Sequence, residues 1–361
     1  MPRTVNEQIV GKLRRKILMG GFDRVTFLPP ERKLAAEFEV GRGMLRGALE
    51  TLCREGIIYR VPKRGLRIKK TEPRRLKRVL LRLPGPMPAK VGEEIAIVAG
   101  ICAGAGEIFA EVVLSAPPAP LNLTELRERY NAGDIQGIIV LEHSPGAEFS
   151  EIAASGIPFV IANQEDEGDF PCVRMDYRAV GRLAGQRLFQ TRCRRPLIYT
   201  GDTEKFMYRE ILAGFRGAAA EEGVMLDESM IVRGDFNCEA PELTEKLSLP
   251  AGRRPDAVFT VWDYRAAHVF RLCEKFSLRI PDDLGLISYD DVSWPSAEEQ
   301  GLTSVAEEVN QIGRQSVLLL RNMYESKEPH GGTVCLIPPR LVERRTLKPV
   351  PPDRRTVYTP A

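Results

Sequence analysis

The stretch that decides the N-terminal fold runs Leu28-Pro-Pro-Glu-Arg-Lys-Leu-Ala-Ala-Glu-Phe-Glu-Val-Gly-Arg-Gly-Met-Leu-Arg-Gly-Ala-Leu-Glu-Thr-Leu-Cys-Arg-Glu-Gly-Ile-Ile58. Pro30 suits the first position of a helix, and Leu34, Ala35 and Phe38 give that short helix an apolar side. Val40-Gly41 ends it. A second helix follows at once. At about 100° per residue, Met44, Leu45, Ala48, Leu49 and Leu52 fall on one arc, and Arg42, Gly43, Arg46 and Glu50 on the opposite one. One face is therefore core, and the other carries two arginines one turn apart.

Upstream, Ile9, Leu13 and Ile17 share one face of a helix over 5–18, which Gly20-Gly21 stops. Downstream, Ile57–Val61 reads as a strand, Pro62-Lys-Arg-Gly65 as a turn and Leu66–Ile68 as the returning strand. Helix, short helix, turn, helix and hairpin make a winged helix-turn-helix over residues 1–72. Arg42 and Arg46 suit the edges of guanine or the phosphates, and Gly43 between them lets the helix come close to the groove. Lys63, Arg64 and Gly65 at the wing tip suit phosphates or a minor groove.

Charge supports this division. Residues 1–90 carry 23 Lys/Arg and 8 Asp/Glu, a net of +15, whereas the rest of the chain is net −12, although the whole is only +3. A basic head on an acidic body points to a polyanionic partner for the head. This part of the sequence resembles the GntR family of bacterial transcription regulators, whose pattern is Leu-Pro-Ser-Glu-Arg, then Ser-Arg-Thr-Thr-Val-Arg, then Leu-x-x-x-Gly. The resemblance implies DNA contacts at Arg32, Arg42, Gly43, Arg46, Lys63, Arg64 and Gly65. Gly41, Gly43 and Met44 stand where the family has Ser and Thr, so helix capping and operator sequence should differ.

Residues 73–91 are rich in Pro and Arg and read as a linker. From there strands alternate with helical stretches. Strands are expected at Ile95–Ala99, Glu111–Leu114, Gly137–Leu141, Pro158–Ala162, Leu197–Thr200, Ala257–Val261 and Leu284–Ser288, and helices at Val180–Phe189 and Tyr208–Glu222, among others. Such alternation implies parallel sheets covered by helices, so the expected class is multidomain α/β. Residues 347–361 read as a loose tail.

In this second part, several segments resemble the LacI/GalR effector domain, a two-lobed, Rossmann-like periplasmic-binding-protein type I fold. They are Tyr208-Arg-Glu-Ile-Leu-Ala-Gly-Phe-Arg-Gly-Ala, Gly234-Asp-Phe, Pro255-Asp-Ala-Val-Phe-Thr-Val-Trp-Asp-Tyr-Arg-Ala-Ala and Ile280-Pro-Asp-Asp-Leu-Gly-Leu-Ile-Ser-Tyr-Asp-Asp. Leu302-Thr-Ser-Val and Leu341-Val-Glu-Arg-Arg-Thr complete the pattern. The resemblance implies an effector domain over 92–346 that closes on a sugar-like molecule, with Phe236 packing on the ligand and Asp263 and Asp290 accepting its hydroxyls. The family's ligand-binding arginine falls at Ile211, with Arg209 two residues earlier, and its asparagine falls at Trp262. Asp263 and Asp290 can alternatively cap helices, and Tyr208 and Trp262 can be core or ligand platforms.

Enzyme chemistry finds little footing. Gly104-Ala-Gly106-Glu-Ile-Phe109 is half a dinucleotide fingerprint, with Phe in place of the third small residue and no acidic residue after the next strand; the glycines read instead as a ligand-facing loop. The histidines, His143, His268 and His330, lack His-x-x-x-His spacing, and no Gly-x-Ser-x-Gly elbow is present. The adjacent carboxylates Asp290 and Asp291 would point apart on an extended chain. Seven scattered cysteines contain no Cys-x-x-Cys pair, which argues for small apolar side chains in a reducing compartment rather than disulfides or zinc. No catalytic residues, metal or cofactor are expected. No apolar run approaches membrane-spanning length and no signal peptide is legible, so a cytoplasmic location is expected.

The sum is a DNA-binding transcriptional regulator: a homodimeric repressor of a palindromic operator, whose operator affinity is controlled by a small molecule, a sugar or sugar derivative, bound between two lobes. An activator or a co-repressor-dependent regulator has the same architecture. A sugar-acting enzyme with a DNA-binding head and a solute-binding protein are the alternatives of other classes.

Overall fold

The computed structural model describes residues 5–18, 22, 27–68, 74–83, 91–115, 122–141, 146–164, 168–234, 240–291, 300–326 and 332–350. The chain divides into two compact units, residues 1–74 and 75–361.

In the first unit, α1 (Val5–Leu18), α2 (Glu31–Glu37) and α3 (Arg42–Arg54) precede an antiparallel hairpin of β1 (Ile58–Val61) and β2 (Gly65–Ile68). Ile9 and Leu13 of α1, Leu34 and Ala35 of α2, and Leu45, Ala48, Leu49 and Leu52 of α3 make its core with Ile58 and Leu66. Phe27 bridges to Arg67, and the Leu28 amide donates to the Leu66 carbonyl at 2.8 Å. The hairpin is thereby tied to the segment entering α2. The winged helix-turn-helix is as expected, except that Met44 lies on the exposed side of α3. It occupies the first turn, ahead of the point at which the buried arc begins at Leu45.

The second unit has two lobes. The first is built on a parallel sheet ordered β13 (Val334–Ile337), β7 (Cys172–Met175), β6 (Phe159–Ala162), β5 (Gly137–Leu141), β3 (Arg78–Arg82), β4 (Glu111–Ser115). The second is ordered β14 (Arg340–Val342), β12 (Thr303–Ala306), β11 (Gly285–Asp290), β10 (Ala257–Val261), β8 (Pro196–Thr200), β9 (Ile231–Arg233), and only β14 pairs antiparallel. Helices α4 (Val91–Glu107), α5 (Leu123–Ala132) and α6 (Gly146–Ser155) belong to the first lobe. Helices α7 (Tyr177–Phe189), α8 (Phe206–Glu221), α9 (Pro241–Ser248) and α10 (Asp263–Lys275) belong to the second. Helix α11 (Val309–Ser326) returns to pack on α4 and on β5, β6 and β7. Among the described residues the chain passes between the lobes three times, after β7, after β12 and between β13 and β14.

Four expectations are corrected here. The segment Ile95–Ala99 is not a strand but the middle of α4. Two interior faces demand its apolar residues: Ile97 and Ile101 enter the core, while Gly100 and Gly104 let α11 approach. A Cβ on Gly100 would lie 2.9 Å from the Asn310 carbonyl carbon, and one on Gly104 3.1 Å from the Arg314 Cα. Gly104 and Gly106 are thus helical residues and not a ligand-facing loop. The expected linker contains β3, whose Val79, Leu80 and Leu81 are buried; Arg78–Arg82 is an interior strand of the first sheet. Finally, the expected tail is partly structural, because Leu347 is buried and the Arg187 guanidinium donates to the Lys348 carbonyl at 3.1 Å. Residues 351–361 of that tail lie outside the described residues.

Candidate DNA-reading head and effector cleft

On the head, Arg32, Arg42, Gly43, Met44 and Arg46 are all exposed. Helix α3 begins after Gly41, and no side chain caps it. This agrees with the loss of hydroxyl residues read from the sequence. The first-turn amides are left for an outside acceptor such as phosphate. Arg46 is braced by the Glu31 carboxylate at 3.1 Å. Gly43 meets nothing within 4 Å of an added Cβ. A helical glycine costs about 1 kcal/mol relative to alanine, and no packing inside the head requires it. Its small size matters only to something that approaches from outside. In the wing, Lys63 and Gly65 both take positive φ, 61° and 101°, which shapes the tight turn. Arg64 stacks over the Phe27 ring, 5.2 Å from its centroid.

In the body, the carboxyl ends of the strands carry unusual backbone. Asn163 after β6 has φ 65°, Trp262 after β10 has φ 83°, and Asp290 and Asp291 at the end of β11 have φ 133° and 60°. Such conformations cost on the order of 1–3 kcal/mol each and cluster at binding sites. The carboxyl ends of parallel strands are also where α/β sheets place ligands.

The structure brings several predicted residues together there. Trp262 is buried, its Nε1 donates to the Tyr208 hydroxyl at 3.0 Å, and its ring lies 5.4 Å from that of Tyr289. Trp262 and Tyr208 therefore form one wall. Asp263 is the first residue of α10 and is buried; its Oδ1 accepts from the Ser304 hydroxyl at 3.0 Å, and no side chain caps the helix. The carboxylate bridges β10 to β12 rather than closing α10. Asp290 ends β11, and its carbonyl accepts from the Glu307 amide at 3.1 Å. Arg209 is exposed, with its guanidinium 5.5 Å from the Phe206 ring centroid, and Arg174 of β7 stacks on the same ring at 4.3 Å. Ile211 is buried in the helix pair α7 and α8, where its carbonyl faces Gly181. Phe236 lies outside the described residues, as do His143 and His330.

Sequence reading missed Arg265. It is among the most deeply buried side chains and donates to the carbonyls of Val261 at 2.8 Å and Gly234 at 2.9 Å. The rings of Tyr199, Tyr208 and Tyr264 surround it at 5.6, 5.9 and 4.9 Å. It ties the end of β10 to Gly234, the residue after β9. The partly buried His268 has its pKa lowered, chiefly by burial and then by Arg271, and its Nδ1 lies 3.4 Å from the Tyr199 hydroxyl. That places it behind the tyrosine wall. Asp291 is neutralised by Arg344 at 2.6 Å, so Asp290 and Asp291 do not act as a dyad. Among the described residues no group of His, Cys, Asp and Glu could hold a metal ion.

The fold defines a class: a winged-helix head joined to a two-lobed α/β body. Comparison with known proteins gives the particulars. Residues 5–68 match the family "Bacterial regulatory proteins, gntR family", and residues 185–347 match the "Periplasmic binding protein-like domain". The head is thus similar to gntR-family regulatory proteins and the body to periplasmic-binding-protein-like domains. A similar curated protein is the HTH-type transcriptional repressor PurR of Photobacterium profundum, 30% identical over 149 residues, which cover 41% of this chain and 44% of that one. The match spans less than half of that relative's length. Among solved structures, a LacI-family regulatory protein from Chloroflexus aggregans superposes with a TM-score of 0.63 at 22% identity, over 75% of this chain and 98% of the other. The transcriptional regulator CelR–cellobiose complex superposes with a TM-score of 0.59 at 21% identity, over 88% of this chain and 100% of the other. At these identities the structures establish the fold.

Proposed function

We propose that this chain is a cytoplasmic transcriptional repressor whose operator affinity is set by a small molecule, a sugar or sugar derivative, bound between the lobes of its body. The observation that carries the reading is the exposed face of α3, where Arg42, Gly43 and a Glu31-braced Arg46 stand without an internal packing role, on a chain whose body is built like ligand-binding regulators. Arg42 and Arg46 enter the major groove; Arg32, Lys63, Arg64 and Gly65 hold phosphates or the minor groove. Phe236, Trp262, Asp263, Asp290 and Arg209 line the effector site. Ligand and DNA shift each other's affinity by the same factor. The PurR relative is named a repressor and the CelR structure is a cellobiose complex, which supports regulation over catalysis.

The acting form is a homodimer, because two-fold proteins read two-fold sites. Its support is α4. Apart from the side packed on α11 and the core, this helix exposes Ile95, Ala99, Cys102 and Ala103, and Phe109 and Leu114 continue the apolar surface at 93% and 60% exposure. A surface helix apolar on all sides is covered in the working assembly.

The test is fluorescence anisotropy on DNA from upstream of the protein's own gene, with and without a panel of sugars. Tight, salt-sensitive binding that one compound releases is the expected result. No preference over random DNA at a salt concentration where specific complexes survive would overturn the reading.

A further inference from the structure

Helix α4 returns from the carboxyl end of β3 toward the start of its parallel neighbour β4, so its N-terminal turns lie at the carboxyl ends of the strands. Glu94 sits on those turns. It continues the buried stripe Ile97, Ile101 and Ala105 at i+3, i+7 and i+11. It is only 6% exposed, and neither Oε1 nor Oε2 has a hydrogen-bond partner among the described residues. A buried carboxylate left this way is destabilising until something pairs with it. The buried guanidinium of Arg82 does not answer it: Arg82 alternates with Leu81 and shares the face of Leu80, away from Val79, Leu81 and the α4 residues packed on them, and it bonds Ser115 instead.

Two further buried atoms at strand ends lack a partner among the described residues, Gln164 Oε1 after β6 and Thr200 Oγ1 at the end of β8, at 6% and 1% exposure. Glu94 offers acceptors alone, the Gln164 amide offers its carbonyl oxygen beside its own N–H donors, and Thr200 offers a hydroxyl. On the second lobe, in the same sheet as Thr200, Asp263, Asp290 and Glu307 stand at the ends of β10, β11 and β12, with Glu307 bonded through its backbone to Asp290. Helix α11 starts just beyond Glu307 and packs on α4 through Asn310 and Gly313. A phosphate or carboxylate seated at Glu94 itself would meet like charge. A hydroxyl would satisfy one oxygen of Glu94 but leave its charge uncompensated, whereas an ammonium supplies both donors and charge.

We propose that the effector carries an ammonium group seated on Glu94 and hydroxyls turned to Gln164 and Thr200, which makes it an amino sugar or amino polyol. This inference rests on the cleft being the effector site.

Binding is measured on the free protein, by thermal shift and by tryptophan fluorescence, with the matched pairs glucosamine and glucose, and galactosamine and galactose, and with gluconate as the anionic probe. At least one amine should bind better than its hydroxyl partner by about tenfold or more, the difference between a charge-assisted and a neutral hydrogen bond. Glu94→Gln should remove that preference and, without ligand, raise the melting temperature. Thr200→Val should weaken both members of a pair alike. A lower melting temperature for ligand-free Glu94→Gln would show that the carboxylate has a structural partner and overturn the proposal. So would equal binding within pairs, tighter binding of gluconate, or no response to either amine at millimolar concentration. Operator binding is scored separately, so a protein that ignores DNA but discriminates amines would lose the regulator reading and keep this one.

Discussion

Gly214 and Gly217 lie in the same helix, α8, and should respond to alanine with opposite signs. Gly214 is buried at the crossing of α8 on α7. A Cβ there would overlap the Arg178 carbonyl oxygen and stand 2.9 Å from the Arg182 amide. Gly181 presents the reciprocal contact, its added Cβ 2.9 Å from the Phe215 amide. The struck atoms are backbone on both helices, so no rotamer change relieves the overlap and the helices must separate by roughly an ångström. Overpacking of this kind costs about 1–3 kcal/mol, and backbone against backbone belongs at the upper end. Alanine returns about 1 kcal/mol of helix propensity, leaving a net loss of about 2 kcal/mol. Gly217 is exposed with nothing within 4 Å of an added Cβ, so there only the gain of up to about 1 kcal/mol remains. For a body of this size, 1 kcal/mol moves the melting temperature by about 2–4 °C. Gly214→Ala should fall by roughly 4–8 °C while Gly217→Ala rises by a few degrees. Calorimetry or circular dichroism melts decide it. Equal shifts of the same sign would mean that α7 and α8 do not cross as closely as their glycines indicate.

Arg46→Ala should weaken operator binding by about 1–3 kcal/mol if the side chain reads a base, and lower affinity for all DNA alike if it grips phosphate. Glu31→Gln should cost less, within the ~0.2–1 kcal/mol of an exposed pair, and nothing further in an Arg46→Ala background; an additive loss would show that Glu31 acts by another route. Met44 is exposed beside those arginines, and thymine methyls are the apolar feature of the major groove that α3 is proposed to enter; replacing thymine by uracil in a selected site should weaken the native protein and leave Met44→Ala unaffected. Cys102 should join two copies through a short bis-maleimide and fail to do so as Cys102→Ser. Cys193 should stay unlabelled in the native protein, since burial and then Asp256, bonded to its sulfur at 2.7 Å, push its thiol pKa up. Rapid labelling of Cys193 before unfolding would refute that packing.

The head was legible because its helices are amphipathic. The alternation of Arg42, Gly43 and Arg46 with Leu45, Ala48 and Leu49 assigns one face to the core without reference to anything distant, and the turn chemistry of the wing is equally local. The strands Gly137–Leu141, Ala257–Val261 and Gly285–Asp290 were legible as short apolar runs between turns. Helix α4 was not. With α11 and the core on its buried sides and apolar residues on its exposed side, it has no 3.6-residue alternation, and Ile95–Ala99 looks like a buried strand. Strand β3 was hidden by its arginines, because Arg78 and Arg82 lie at the ends of three apolar residues.

The same division holds at the sites. Local pattern alone determined that a basic helix face and a cationic wing exist, and that the body alternates strand and helix, since those properties depend on neighbours a few residues away. Which buried groups share the cleft depends on strand order, crossovers and helix packing, none of which leaves a periodic trace. Asp263 turns toward Ser304, 41 residues on, and Arg265 reaches back to Gly234. Glu94 reads in the sequence as one more charged residue at the start of an apolar run. Only the packing of α4 takes it out of water with neither oxygen satisfied, because desolvation belongs to the folded surroundings of a side chain and not to its position in the chain.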